Sequence, residues 1–284
     1  MNRPFSYLLL VHVEAYMSSL GYTIGFIGCG NMASAMIKGA LASGVVKPSD
    51  IVISARTEAT RTRIQECFGV HAYADNADVV RASDVVVLAV KPHMFESILS
   101  EIQGVAAEHT VLVSLAPGKT LAWLAEMGPC KKVVRLMPNT PAAVGQGMTA
   151  LCANDACTED DIADIEVFIN SFGRSARVSE SLIDAVIPVS GSAPAYVYMF
   201  IEAMADAAVL EGMPRAQAYE FAAQAVLGSA KMVLETHQHP GELKDAVCSP
   251  GGTTIEGVRV LERLGMRSAV IEALEATAQK AREM

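Results

Sequence analysis

Short apolar runs recur through the first 178 residues: Tyr22–Ile27, Ile51–Ser54, Val85–Val90, Thr110–Ser114, Val133–Met137, Met148–Cys152 and Arg174–Val178. Helical periodicity separates most of them, at Met32–Ser43, Glu58–Phe68, His93–Gln103, Thr120–Met127 and Glu159–Phe172. Strands alternating with helices predict a largely parallel sheet covered on both faces. The run Val85–Val90 is apolar throughout, as a strand buried on both sides must be.

From Ser179 onward the strand pattern stops. Helices are predicted at Pro194–Leu210, at Arg215 to about Thr236, and at Glu242–Val247, Thr254–Leu264 and Arg267–Glu283. The first of these is apolar on nearly all sides, with Glu202 and Asp206 as the exceptions. A helix of that kind has to be buried, and a lone helical domain of this length offers little depth, so a second subunit is expected to cover it. The predicted fold class is α/β: a Rossmann-type doubly wound, largely parallel sheet over residues 22–178, followed by an all-α dimerisation domain over 179–284. Residues 1–21 read as a dispensable extension, or the product of a start upstream of Met17, because the apolar patch Tyr7–Val13 has no small-residue cleavage site after it.

The first strand runs into Gly28-Cys29-Gly30-Asn31-Met32-Ala33, the G-x-G-x-x-A form of the dinucleotide fingerprint. Gly28 is expected to make the tight turn, Gly30 to let a pyrophosphate approach the backbone, and Ala33 to keep the helix close to the strand. An NAD site normally places a carboxylate at the tip of the second strand, but this chain has Ser54-Ala55-Arg56-Thr57 there. A guanidinium with hydroxyls suits a 2′-phosphate, so NADPH is favoured over NADH.

Near the other end, Ser249-Pro250-Gly251-Gly252-Thr253-Thr254 packs two glycines and three hydroxyls before the apolar positions Ile255, Val258, Leu261 and Leu264. Thr253 with Glu256 has capping-box spacing, and Ser249 with Pro250 offers a second N-cap pair; on either reading a helix starts here. Bare amides at such a start favour a carboxylate or phosphate. No general acid–base pair is evident in the helical half. That is awkward for a hydroxy-acid dehydrogenase and less so for an imine, whose nitrogen can carry its proton before reaction.

Composition narrows the partners. Hydrophobic residues make up 51 % and charged ones 19 %, which again suggests surface buried between subunits. A net charge of −9 argues against nucleic acid. The uncharged stretch Ala185–Ile201 is short for a membrane span and contains Pro188, Gly191 and Pro194, so it reads as too broken to be one. The six cysteines lack C-x-x-C spacing, which fits a reducing cytoplasm, and neither Cys152 with Cys157 nor His237 with His239 has a matching second pair to hold a metal.

Taken together, Gly25–Ala33, Ala89-Val90-Lys91-Pro92, Met137-Pro138-Asn139-Thr140-Pro141, Gly191–Tyr196 and Asp245–Thr254 resemble the pyrroline-5-carboxylate reductases, from about Thr23 to the C-terminus. The resemblance implies reduction of a cyclic imino acid to proline, the last step of proline biosynthesis, by NADPH or NADH. It implies a homodimer or larger assembly in which the substrate loop of one subunit sits beside the nucleotide of the other. It implies a cofactor site lined by Ile27, Gly28, Cys29, Gly30, Asn31, Met32, Asn76, Ala89, Val90, Lys91, Pro92, Leu115, Ala116 and Pro117, to which the strand-tip reading adds Ser54 and Arg56. By the same resemblance the hydroxyl of Thr254 bonds the ring nitrogen, Ser249, Gly251, Gly252 and Thr253 cradle the substrate carboxylate, and Glu180 is a carboxylate near the active site. The chain departs from the family at Ala193, where glycine is usual, and at Ala55, where many members have asparagine. Two other readings stand beside this one: a β-hydroxyacid-type dehydrogenase using Lys231 or Lys244, and an NADP-binding regulatory protein without turnover.

Overall fold

The computed structural model describes residues 20–283, so the extension expected at 1–21 lies, apart from Leu20 and Gly21, outside the described residues. The chain forms two compact units. One runs to Gly191 and takes in the end of the chain from Lys280; the other is Ser192–Gln279. The first continues past the expected boundary at 178 because Ile183 and Ile187 are buried in its core.

The first unit is organised on one eight-stranded sheet: β1 (Ile24–Ile27), β2 (Ile51–Ser54), β3 (His71–Tyr73), β4 (Val85–Leu88), β5 (Val111–Ser114), β6 (Lys132–Met137), β7 (Gly147–Ala153) and β8 (Gly173–Arg177). Their spatial order is β3-β2-β1-β4-β5-β6-β7-β8, and every neighbouring pair is parallel except β6 with β7. The order reverses between β1 and β4, and a doubly wound sheet binds its ligand beyond the strand ends at that switch point.

Alternate side chains of the central strands feed two cores. Ile24, Phe26, Val85, Val87, Val111 and Val113 pack on one face against Met36, Ile37, Ile165 and Phe168. Ile27, Val86, Leu88 and Leu112 pack on the other against Val79, Phe95, Leu99 and Leu124. The covering helices are α1 (Asn31–Ser43), α2 (Glu58–Phe68), α3 (Asn76–Arg81), α4 (Phe95–Glu101), α5 (Leu121–Met127) and α6 (Glu159–Asn170), with a short α7 at Ile183–Val186. The hydrophobic pattern does not predict β3 or α3. β3 is three residues at the sheet edge with none of them buried, so it carries no apolar run, and α3 is under two turns long.

The second unit holds α8 (Ala193–Leu210), α9 (Arg215–Thr236), α10 (Pro240–Ala246), α11 (Thr253–Arg263) and most of α12 (Met266–Arg282). Small residues bury between its helices: Ala205 on α8, Ala218 and Ala222 on α9. Arg215 pairs with Asp206, and the Tyr196 hydroxyl meets that of Thr277.

As the expected cover by a second subunit requires, α8 is left open by its own chain: Ala205 is its one buried residue, while Met199 is 67 % and Leu210 88 % exposed. One expectation is corrected: Pro188 and Gly191 do not break the stretch before it. A wide π-helical turn at Ile187–Ser192 absorbs both, and Pro194 falls in the first turn of α8, where a missing N–H costs little. Among the described residues, Glu180–Leu210 is therefore one helical stretch long and apolar enough to cross a membrane by length and composition.

Candidate functional site

At the mouth of the switch point, Gly28 has φ +89°, and a side chain there would place its Cβ 2.6 Å from Val90 Cγ1 and 3.1 Å from Ala89 O. Only glycine fits. Gly30 is the N-cap of α1 and makes no side-chain cap; the space where its Cβ would project is open for 4 Å. Ala33, 1 % exposed, seats the helix against the sheet. An uncapped helix start with a cradle that a Cβ would fill fits a pyrophosphate.

The other expected cofactor residues cluster at the same strand ends. Ala89, Val90, Lys91 and Pro92 follow β4, with Ala89 N donating to Ile27 O at 3.0 Å. Leu115, Ala116 and Pro117 follow β5, where Ala116 N donates to Ser114 Oγ at 3.2 Å. At the tip of β2, Ser54 is buried and donates to Asn76 Oδ1 at 2.6 Å, while Asn76 Nδ2 donates to Glu101 Oε2 at 2.9 Å. Arg56 is exposed, and its guanidinium has no hydrogen bond or ion pair among the described residues. No carboxylate occupies the β2 tip, so the residues present fit a 2′-phosphate. Asn31 and Met32 open α1, and burial raises the pKa of the Cys29 thiol, which lies 3.5 Å from Ser34 Oγ. The part-buried side chain packs against the core.

The second cluster is the loop before α11. Gly252 N donates to Ser249 O at 3.0 Å, Pro250 is the second residue of that turn, and Gly251 has φ +70°, the signature of a type II turn. A Cβ on Gly252 would lie 2.3 Å from Ser249 Oγ, so the pair of glycines brings that hydroxyl over the start of the helix.

The capping box expected from Thr253 and Glu256 does not form. Gly252 is the N-cap, without a side-chain cap, and Glu256 turns to Arg259, which donates from Nε at 2.8 Å. Thr253 and Thr254 are instead the first two residues of α11, both exposed, and the hydroxyls of Ser249 and Thr254 have no hydrogen-bond partner among the described residues. The consequence favours a ligand: the first amides of α11 face no side-chain acceptor.

Glu180 lies on the sheet unit, on the face of β6. Its Oε1 accepts from Arg135 Nη1 at 2.6 Å and from Leu121 N at 2.7 Å, at the start of α5. Arg135 is buried, and its neighbour across the β6–β7 ladder is Cys152. The carboxylate expected near the active site is thus an ion-pair partner. One residue that the sequence reading does not single out carries weight here: Arg135, a charge in the middle of β6, whose other charge, Lys132, lies at the strand's end. So does Asn139 of the Met137–Pro141 segment, whose Oδ1 accepts from Met148 N at 2.9 Å and whose Nδ2 donates to Ser190 O at 3.0 Å. The signal for Asn139 is Pro194, which has no N–H to offer the carbonyl four residues before it.

All six cysteines are free, and no group of three or more His, Cys, Asp or Glu that could hold a metal occurs among the described residues.

Comparison with known proteins gives the family. Residues 180–284 match the family model described as pyrroline-5-carboxylate reductase dimerisation, and residues 23–118 match that described as NADP oxidoreductase coenzyme F420-dependent. The chain is 51 % identical to the pyrroline-5-carboxylate reductase of Escherichia coli, over 92 % of this chain and 97 % of that one. It is 44 % identical to the enzyme of that name from Glycine max, over 93 % and 96 %. The structure is similar to that of the Plasmodium falciparum pyrroline carboxylate reductase with NADP bound, with a TM-score of 0.85 and 31 % identity over 94 % of this chain and 99 % of the other. With its uncapped glycine-rich strand end and its Ser249–Thr254 loop, the chain belongs to the pyrroline-5-carboxylate reductase family.

Proposed function

We propose that this chain reduces 1-pyrroline-5-carboxylate to proline with NADPH, acting as a homodimer in a reducing cytoplasm. The observation that carries the reading is the bare start of α11, where the Ser249 and Thr254 hydroxyls and the first helical amides stand together without protein partners. One end of that constellation suits a carboxylate and the other a nitrogen. Ser249, Gly251, Gly252 and Thr253 hold the substrate carboxylate against the positive end of the helix. Thr254 bonds the ring nitrogen, and its hydroxyl can accept from the protonated imine before reaction and donate to the amine lone pair after it. When bound, NADPH supplies a hydride to the C=N carbon; the π pair of that bond becomes the nitrogen lone pair. Because the nitrogen arrives protonated, no general base is needed for the hydride step. Glu180 acts at a distance, holding Arg135 and the start of α5.

NADPH is assigned from the strand ends: Ile27 to Met32 and Ala89 to Pro92 receive the dinucleotide, Leu115 to Pro117 border it, and Arg56 meets the 2′-phosphate. The dimer is assigned from α8, whose exposed apolar side chains need a partner. Replacing Thr254 by valine keeps shape and β-branching and removes the hydroxyl. A hydrogen bond to a charged group is worth about 1.5–3 kcal/mol, so kcat should fall roughly ten- to a hundredfold, with a smaller change in KM. Replacing the substrate carboxylate by an amide should instead weaken binding. Full kcat in Thr254→Val, or equal binding of the amide, would return the loop to a structural cap.

A further inference from the structure

We propose that Arg61, one turn into α2, is a positioning residue for cofactor selectivity: it holds the loop from which Arg56 projects. This rests on the assignment of NADPH made above. Arg61 Nη1 donates to two successive carbonyls, Ala55 O at 2.8 Å and Arg56 O at 3.3 Å. On its other side the loop is tied to the sheet, Ala55 N donating to Tyr73 O at 3.3 Å, and Thr57 closes it as N-cap of α2 by accepting from Thr60 N. The backbone of residues 55–57 is therefore bonded at each step, while the Arg56 side chain that leaves it is exposed and has no protein partner among the described residues.

The arrangement has a physical purpose. A long, unpartnered arginine must lose rotamer freedom when it grips a phosphate, and a wandering backbone beneath it would add to that loss. Fixing both carbonyls of the loop leaves only the side chain to be ordered. The half-buried Arg61 guanidinium also places a second positive charge beside the loop without spending Nη1 on the ligand. Both bonds leave from the one nitrogen Nη1, so a lysine ammonium, with three N–H donors on a stem of similar reach, is the replacement that keeps both charge and donors.

Isothermal titration of the full-length protein with 2′,5′-ADP and with 5′-AMP tests this without turnover. The wild type should bind 2′,5′-ADP at least about tenfold more tightly than 5′-AMP, a difference expected for one charge-assisted contact. Arg61→Gln should reduce that ratio by roughly threefold or more while leaving 5′-AMP affinity as it was, the latter showing that the site is still folded. In an Arg56→Ala background the same change should have no further effect on the ratio, because a residue that acts through Arg56 has nothing left to position. Arg61→Lys, which keeps the charge and the donors, should retain more of the ratio than Arg61→Gln. An unchanged ratio in Arg61→Gln, or additive losses in the double variant, would overturn the proposal while the wild-type preference for 2′,5′-ADP stood. A wild type with no such preference would instead remove the assignment of NADPH, and this proposal with it.

Discussion

Arg135 and Glu180 meet at 2.6 Å on the inner face of β6, with the arginine side chain 6 % exposed and the glutamate 33 %. A guanidinium buried at that depth is tolerated only with its counter-charge present. The pair fixes the segment after β8 to the sheet, and the same carboxylate oxygen takes the amide of Leu121 at the head of α5.

Removing one partner should be worse than removing both. Glu180→Leu leaves a buried unpaired guanidinium and should cost about 3–5 kcal/mol, whereas Arg135→Met with Glu180→Leu should recover a large part of it. Chemical denaturation of the three proteins measures this. A double variant less stable than Glu180→Leu would mean that the pair is not what holds this segment.

Asp161 gives a pH-dependent counterpart. It closes a capping box with Thr158 at the start of α6 and pairs with Lys132 at 2.8 Å. Burial alone would raise its pKa, but the bonds from Lys132 and Thr158 outweigh that and hold it below the ordinary value. A carboxylate depressed in the folded state stabilises above its unfolded pKa, and the gain is lost as pH falls through the folded one. Asp161→Asn should therefore cost about 1–2 kcal/mol near neutral pH, and its gap to the wild type should close below roughly pH 4. A gap that stays constant down to low pH would show that the charge contributes nothing.

The exposed face of α8 predicts assembly. An obligate interface of this kind buries roughly 2,000 Å² or more, so light scattering should find no monomer at low micromolar concentration, and Met199→Glu should both dissociate and destabilise the protein. A folded, active monomer would contradict the assignment of α8 to an interface.

The parts of the fold that were legible are those in which one residue type has one physical use. Gly28 must lie in a positive-φ turn against Val90, and Val85–Leu88 must be buried on both faces, so the nucleotide unit could be read directly. The start of α11 was legible as a region but not as a cap, because Ser249, Thr253 and the glycines each satisfy a capping rule. The type II turn decides among them by making Gly252 the cap. Burial of α8 could not be read as contact within the chain, since an all-round apolar helix looks the same whether its own chain or another subunit covers it. Arg61 was invisible for a different reason: its partners are backbone carbonyls, which leave no trace in residue identity.

Turnover of a cyclic imino acid is what this loop and this nucleotide site, acting together as proposed, must deliver. Steady-state assay of the purified protein with 1-pyrroline-5-carboxylate and NADPH should show nicotinamide oxidation matched mole for mole by proline formed, at a kcat of about 1 s⁻¹ or faster. NADPH oxidation no faster than the uncatalysed rate, with the protein folded and dimeric, would contradict it and leave a nucleotide-binding protein of another purpose.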